Sequence, residues 1–245
     1  MDEITYVFID GAYLQETFRE TILSTFGDEY EIDLLSLKHE TRSRRAFYYD
    51  CLDNIQKQGE NQADFNARVH QKEAYLDSIR SLEGFHVKEG FLQPGRNKQQ
   101  KEVDVLLAVD MMWHAFHRNM TRAVLISGDR DFKPVVQSVA QSGTYVEVWF
   151  RKQSGSRPLA READNFVSLD IEKMTYLAKR KIGDPRGKKF PIYKLFAGGI
   201  FEDPAKQVDK LILTKCTRPA YQTPEIKPFP RFLGVFIRSM HTRFV

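Results

Sequence analysis

AVLISGDRDFKPVVQSVAQSGTYVEVWF, residues 123–150, is the stretch on which the reading of the fold turns. Ala123–Ile126 is a short apolar, β-branched run, and Tyr145–Phe150 is another. Between them Phe132, Val135, Val136 and Val139 share one helical face. The same alternation spreads outward. Strand-like runs stand at Ile4–Ile9, Ala46–Tyr49 and His86–Leu92, and further helical faces run through Phe65, Val69, Leu76, Ile79 and Leu82 and through Val103, Leu106, Leu107 and Trp113. Strands alternating with helices predict an α/β fold with an open, mostly parallel, Rossmann-like sheet flanked by helices. In such sheets ligands bind outside the carboxyl ends of the strands, which directs the search for chemistry.

Other stretches punctuate this pattern. The polar, Gln- and Asn-rich residues 53–66 suggest a mobile segment before a helix, and residues 95–101, GRNKQQK, a cationic connector. RKQSGSR at 151–157 reads as an exposed loop, and SRPLAREADNF after it as a short helix. From Met174 the alternation stops, basic residues crowd together, and Pro219, Pro224, Pro228 and Pro230 argue against a helix or central strand. The expected division is therefore a domain over 1–173 and a basic, Pro-containing C-terminal extension over 174–245.

Charge follows that division. Residues 1–175 hold 22 Lys and Arg against 28 Asp and Glu, a net of −6, while residues 176–245 hold 15 against 5, a net of +10. The whole-chain value of +4 hides an acidic body and a basic tail, a pattern that raises the expectation of an anionic partner. Cys51 and Cys216 are isolated, so neither a disulfide framework nor a CxxC zinc site assembles in one chain. The N-terminal MDEITYVFID lacks a signal peptide's basic and apolar regions, and no run reaches the roughly 20 apolar residues that span a bilayer. The expectation is a soluble, cytoplasmic protein with no membrane partner.

Three acidic clusters fall where the strand-end rule points. Asp10 ends the first strand in YVFIDG; Asp129 and Asp131 follow AVLIS in SGDRDF; Asp104 opens a helix in KEVD. Each alone also reads as an ordinary helix cap or dipole partner. Together they repel: a pair of carboxylates at about 4 Å costs on the order of 4 kcal/mol at an effective dielectric near 20. A cation would offset that cost. Oxygen-only ligands select Mg²⁺ or Mn²⁺, which share their shell with substrate phosphate and assist attack of water on a phosphodiester.

FIDGAYL, KEVDVLLAVDMM and VLISGDRDFKPVVQSVAQSG followed by TYVEVWF together resemble the NYN domain of the LabA-like (DUF88) branch of the PIN-like nuclease superfamily. The resemblance spans roughly residues 4–170 and takes in LAREADNFVSL. It implies a PIN-like sheet with an acidic metal site, and RNA cleavage leaving a 3′-hydroxyl and a 5′-phosphate. By position, the metal-site and catalytic acids are Asp10, Asp104, Asp129 and Asp131, and Ser127 matches the small hydroxyl residue before the acidic pair. Two positions depart from the family pattern. Tyr13 stands where the family commonly has Asn, and either stacks on a nucleobase or packs; Arg130 stands between the paired acids, and either clamps a phosphate or pairs with a carboxylate.

Further candidates carry two readings each. Asp110 is either a residue orienting a metal ligand or a structural acceptor. Lys101, Arg96 and Lys98 either meet substrate phosphate or are solvated cations. His114 and His117 lie one helical turn apart without further ligands for zinc, and Cys51 reads as a packed thiol. In the tail, Lys179, Arg180, Lys181, Arg186, Lys188 and Lys189 precede Tyr193, Phe196 and Phe201, a mixture suited to single-stranded RNA. A solvated face, a partner-protein surface or a homo-oligomer contact are the other readings of that segment. The leading expectation is an Mg²⁺/Mn²⁺-dependent endoribonuclease; a non-catalytic RNA-binding module and a DNA nuclease of the same fold are the alternatives.

Overall fold

Residues on alternate sides of each central strand are apolar, and both faces of the sheet are buried by helices. A computed structural model describes residues 3–27, 29–52, 55–91, 101–152 and 157–181. Arg96, Lys98 and the basic segment beyond Lys181 lie outside the described residues, as does the side chain of Lys101. In chain order the elements are β1 (Thr5–Asp10), α1 (Gly11–Phe26), β2 (Tyr30–Ile32), α2 (Leu34–Glu40), β3 (Arg45–Leu52), α3 (Gln62–Arg80), β4 (Phe85–Phe91) and α4 (Lys101–Phe116). There follow β5 (Arg122–Ile126), a 3₁₀ turn (Arg130–Phe132), α5 (Lys133–Gln141), β6 (Tyr145–Phe150), α6 (Arg157–Ala160), β7 (Asn165–Ser168), α7 (Ile171–Tyr176) and β8 (Ala178–Lys181).

Six strands form one sheet in the order β4-β3-β1-β5-β6-β7, with every pairing parallel. Counting only these strands, the order is 3-2-1-4-5-6, that of a doubly wound sheet, and its switch point lies between β1 and β5. Val7, Ile9 and Tyr48 face a core built with α1 and α3, through Leu14, Phe18, Leu76 and Ile79. Phe8, Tyr49 and Val148 face the opposite core, built with α4 and α5 through Val103, Leu107, Val136 and Val139. That two-sided burial explains why the central strands read as continuous apolar runs.

Three local expectations differ from what is found. Trp113 is not on the buried stripe of α4 but 56% exposed: the stripe runs Val103, Leu107, Met111 and Ala115, and six residues beyond Leu107 the helix has turned away from the core. SRPLAREADNF is helical only over α6, after which Asn165–Ser168 joins the sheet edge beside β6. The polar residues before α3 are tied down in part, since Arg68 bonds both Glu60 carboxylate oxygens and the Ile55 carbonyl. The packed body also continues past residue 173. Met174, Leu177 and Ala178 are buried in the α1-side core, and β8 pairs antiparallel with β2.

One charged group is buried within β6. Burial works to raise the pKa of the Glu147 carboxyl, but hydrogen bonds from Trp149 and Asn165 and the Arg122 guanidinium overcome it and hold the group below its ordinary value. The distances are 2.7 Å from Trp149 Nε1, 2.7 Å from Asn165 Nδ2 and 3.0 Å from Arg122 Nη2. Removing one partner of such a set strands the others, at about 3 kcal/mol or more. Glu147→Ala is expected to lose about that much stability in denaturant unfolding; a loss below about 1 kcal/mol would show that the network does not hold β5, β6 and β7 together.

Candidate active site

The switch point places β1 and β5 side by side, with Ile9 opposite Ile126, so the residues leaving both strands meet at one edge. Asp10 leaves β1 as the N-cap of α1 and accepts from the Tyr13 backbone N–H at 3.0 Å. Its other oxygen accepts from the fully buried Ser127 hydroxyl at 3.0 Å. The same hydroxyl oxygen accepts the Asp129 backbone N–H at 3.1 Å. One side chain therefore separates Asp10 from the loop after β5. Asp129 in turn caps the 3₁₀ turn by accepting from the Asp131 N–H at 2.9 Å. The capping reading of Asp10 and Asp129 is thus correct, and it does not compete with a ligand role, because an ionised carboxylate has about four lone-pair directions.

Asp104 approaches from α4, on the opposite face of the sheet. Burial first, then the charges of Asp10, Asp129 and Asp131, push its carboxyl up to about 6. Asp10 is raised as well, by burial above all; its bonds from Tyr13 and Ser127 oppose this, and the charges of Asp50 and Asp129 add to it. The four expected acids are therefore brought within electrostatic reach of one another. Among the described residues no group of three or more His, Cys, Asp or Glu side chains is drawn together closely enough to hold a metal ion. The chemistry of the four donors suits a hard cation, since every one is a carboxylate oxygen; burial above all, with the neighbouring charges adding to it, lifts the proton affinity of Asp104 and Asp10.

Two glycines shape the floor. A Cβ on Gly11 would lie 2.6 Å from the Tyr48 ring, and one on Gly128 would lie 2.5 Å from the Tyr13 ring. Tyr13 packs: its ring wedges against both cores and its hydroxyl accepts the Arg151 N–H at 2.9 Å. Arg130 is exposed and makes no ion pair among the described residues. Asp110 is not brought to the acids by any direct bond. It accepts from the Tyr49 hydroxyl at 2.9 Å and lies 3.6 Å from Lys88 Nζ. His114 sits among the rings of Tyr6 and Phe47, and His117 stacks on Trp113 at 3.7 Å. Cys51 is half-buried against the α4-side core.

Asp50 was missed by sequence reasoning. It is 3% exposed at the carboxyl end of β3, one residue past the partner of Asp10, and pairs with Lys72 Nζ of α3 at 2.6 Å. The strand-end rule that singled out Asp10 applies equally to the last residue of AFYYD.

In doubly wound sheets of this class, ligands bind outside the carboxyl ends of the strands at the switch point, where the expected acids lie. Residues 4–170 match the NYN domain, and the chain belongs to that family, which lies within the PIN-like nuclease superfamily. A crystal structure of a protein of unknown function from Vibrio parahaemolyticus RIMD 2210633 is similar at 20% identity and a TM-score of 0.46, covering 69% of this chain and 93% of that one. No curated protein matches the chain. No helix among the described residues is long and apolar enough to cross a membrane.

The raised Asp104 carboxyl has a consequence for stability. A folded-state value of about 6 against an ordinary 3.8 means that the folded protein binds this proton more tightly than the unfolded chain does. The resulting stabilisation is complete below the unfolded value and is lost as pH rises through 6. Discounted for the partial exposure of the group, it is worth about 1 kcal/mol, or about 2–4 °C. Asp104→Asn is expected to raise the melting temperature of the metal-free protein by that amount at pH 7.5 and to leave it unchanged near pH 4. A lower melting temperature at pH 7.5 would contradict the repulsion.

Proposed function

We propose that the chain is a divalent-metal-dependent endoribonuclease of the LabA-like branch, cytoplasmic, cleaving RNA to leave 3′-hydroxyl and 5′-phosphate ends. The observation that supports this reading is the approach of Asp104 to Asp10, Asp129 and Asp131 at the switch point, where burial and then their charges push its carboxyl up to about 6. These four side chains would hold Mg²⁺ or Mn²⁺. Such an ion, when bound, activates water and stabilises the departing oxygen in an in-line displacement.

The chain's own residues supply the rest. Ser127 fixes the Asp10 rotamer and the start of the acidic loop together. Tyr13 supports that loop from below, in contact with Gly128. Arg130, exposed between the two acids, is available to a phosphate oxygen of the substrate. Lys101 and the cations of residues 95–101 extend that grip. As water adds to phosphorus, the P–O3′ bond breaks and the 3′-oxygen takes a proton, which gives the proposed ends. Asp110 accepts from the Tyr49 hydroxyl.

The basic segment is the RNA-holding part in this reading; Met174, Leu177 and Ala178, near its expected start, are buried in the α1-side core. A homo-oligomer contact through the same segment is the competing use.

Asp10→Asn and Asp129→Asn are each expected to lower Mn²⁺-dependent cleavage of total RNA by at least about 1000-fold while RNA affinity stays within about threefold. Unchanged cleavage in both would refute the site. Absence of cleavage in every form, with RNA affinity indifferent to both substitutions, would assign a binding module, and preferential cutting of matched DNA would reassign the substrate. Replacing Arg186, Lys188 and Lys189 with Ala should reduce the slope of log affinity against log salt by about 2, at roughly 0.7 per lost phosphate contact. An unchanged slope would remove the segment from the RNA path.

A further inference from the structure

A cavity of about 1120 Å³ opens between α1, β2 and α3 on the face of the sheet opposite α4. Helices on one face of a doubly wound sheet ordinarily close on each other; here the floor is apolar, with Phe18, Ile22 and Ile79, while Gln15, Lys72 and Tyr75 form a polar end. That end adjoins the acidic cleft. Lys72, a lining residue, pairs with the buried Asp50, whose charge reaches Asp10. Gln15 lies on the helix that Asp10 caps, about 7.5 Å along its axis from Asp10 at the usual rise.

The polar end has the chemistry of a nucleotide site. Tyr75 offers a half-buried ring, with the Lys72 ammonium 5.7 Å from its centre. The Gln15 amide donates to the Tyr75 hydroxyl and, at 3.4 Å, to the Tyr48 hydroxyl, which fixes its orientation. Its carbonyl oxygen accepts no hydrogen bond among the described residues and is left for a base amino or imino group. Lys72 has three donors and 30% exposure, so its bond to Asp50 leaves it able to meet a phosphate. The rest of the lining mixes cations and acids, Arg19 and Arg68 with Glu29, Glu31 and Asp33.

We propose that this cavity receives the nucleotide that flanks the scissile phosphate, its base against Tyr75 and Gln15 and its phosphate at Lys72. The assignment rests on the ribonuclease reading for its place in catalysis, but the site binds a nucleotide whether or not the acidic cleft cuts. Substrate selection then comes from a pocket beside the cleft rather than from the acids.

Two measurements on the full chain test it. Equilibrium binding of the four 5′-nucleoside monophosphates should show one preferred base, with affinity at least about tenfold weaker in Gln15→Ala and Tyr75→Ala, as loss of a stacking or edge contact predicts. Asp129→Asn, which leaves the cavity intact, should bind within about twofold of wild type. In cleavage assays Gln15→Ala should raise KM on a longer RNA and relax base preference at one flanking position. It should leave kcat unchanged. Monophosphate binding and KM indifferent to Gln15→Ala and Tyr75→Ala would overturn the subsite even if the wild type cleaves RNA. Base-selective binding lost in those variants, in a protein that cleaves nothing, would leave the subsite standing and overturn the ribonuclease reading alone.

Discussion

The repulsion among carboxylates at the end of β1 and β5 is the constraint around which the site is organised. Asp10, Asp129 and Asp131 are placed by the two strands that flank the switch point, and Asp104 is brought to them by α4 from the other side of the sheet. Asp10 and Asp129 also cap the elements that follow them. The Ser127 hydroxyl holds the geometry by bridging Asp10 to the Asp129 backbone, so the acids cannot relax apart without breaking a buried hydrogen bond. Keeping negative charges together in this way is costly, and the proposed cation would offset that cost.

The neighbouring Asp50 shows the other way to hold a buried carboxylate. It is ion-paired to Lys72 at 2.6 Å and accepts the Cys51 N–H at 2.8 Å, so its charge is compensated by the protein itself. Glu147 is treated similarly by Arg122, Trp149 and Asn165. Asp104 contrasts with those two: its carboxyl is raised to about 6 by burial and by the charges of Asp10, Asp129 and Asp131.

Much of this was legible in the sequence because the strands are short apolar runs and the acids sit immediately after them. Asp10 and Asp129 follow directly from YVFID and AVLISGD. What escaped has physical reasons. β2, β7 and β8 are three or four residues long and lie at edges or in a separate small ladder, where no run of buried apolar residues marks them. Trp113 was placed on the buried face by its hydrophobicity, yet helical phase puts it outside. The roles of Tyr13 and Asp110 depended on which partner lay opposite, Gly128 in one case and Tyr49 in the other, and spacing along the chain does not carry that information.

The central claim is that the switch-point acids form a divalent-cation site. Titration of the metal-free protein with Mn²⁺ at pH 7.5, followed by electron paramagnetic resonance of the free ion, tests it without reference to any substrate. The account predicts saturable binding that is weakened at least about tenfold by Asp10→Asn and by Asp104→Asn and is unaffected by Asp110→Asn. Binding equally strong in all four proteins, or absent from the wild type, would contradict it.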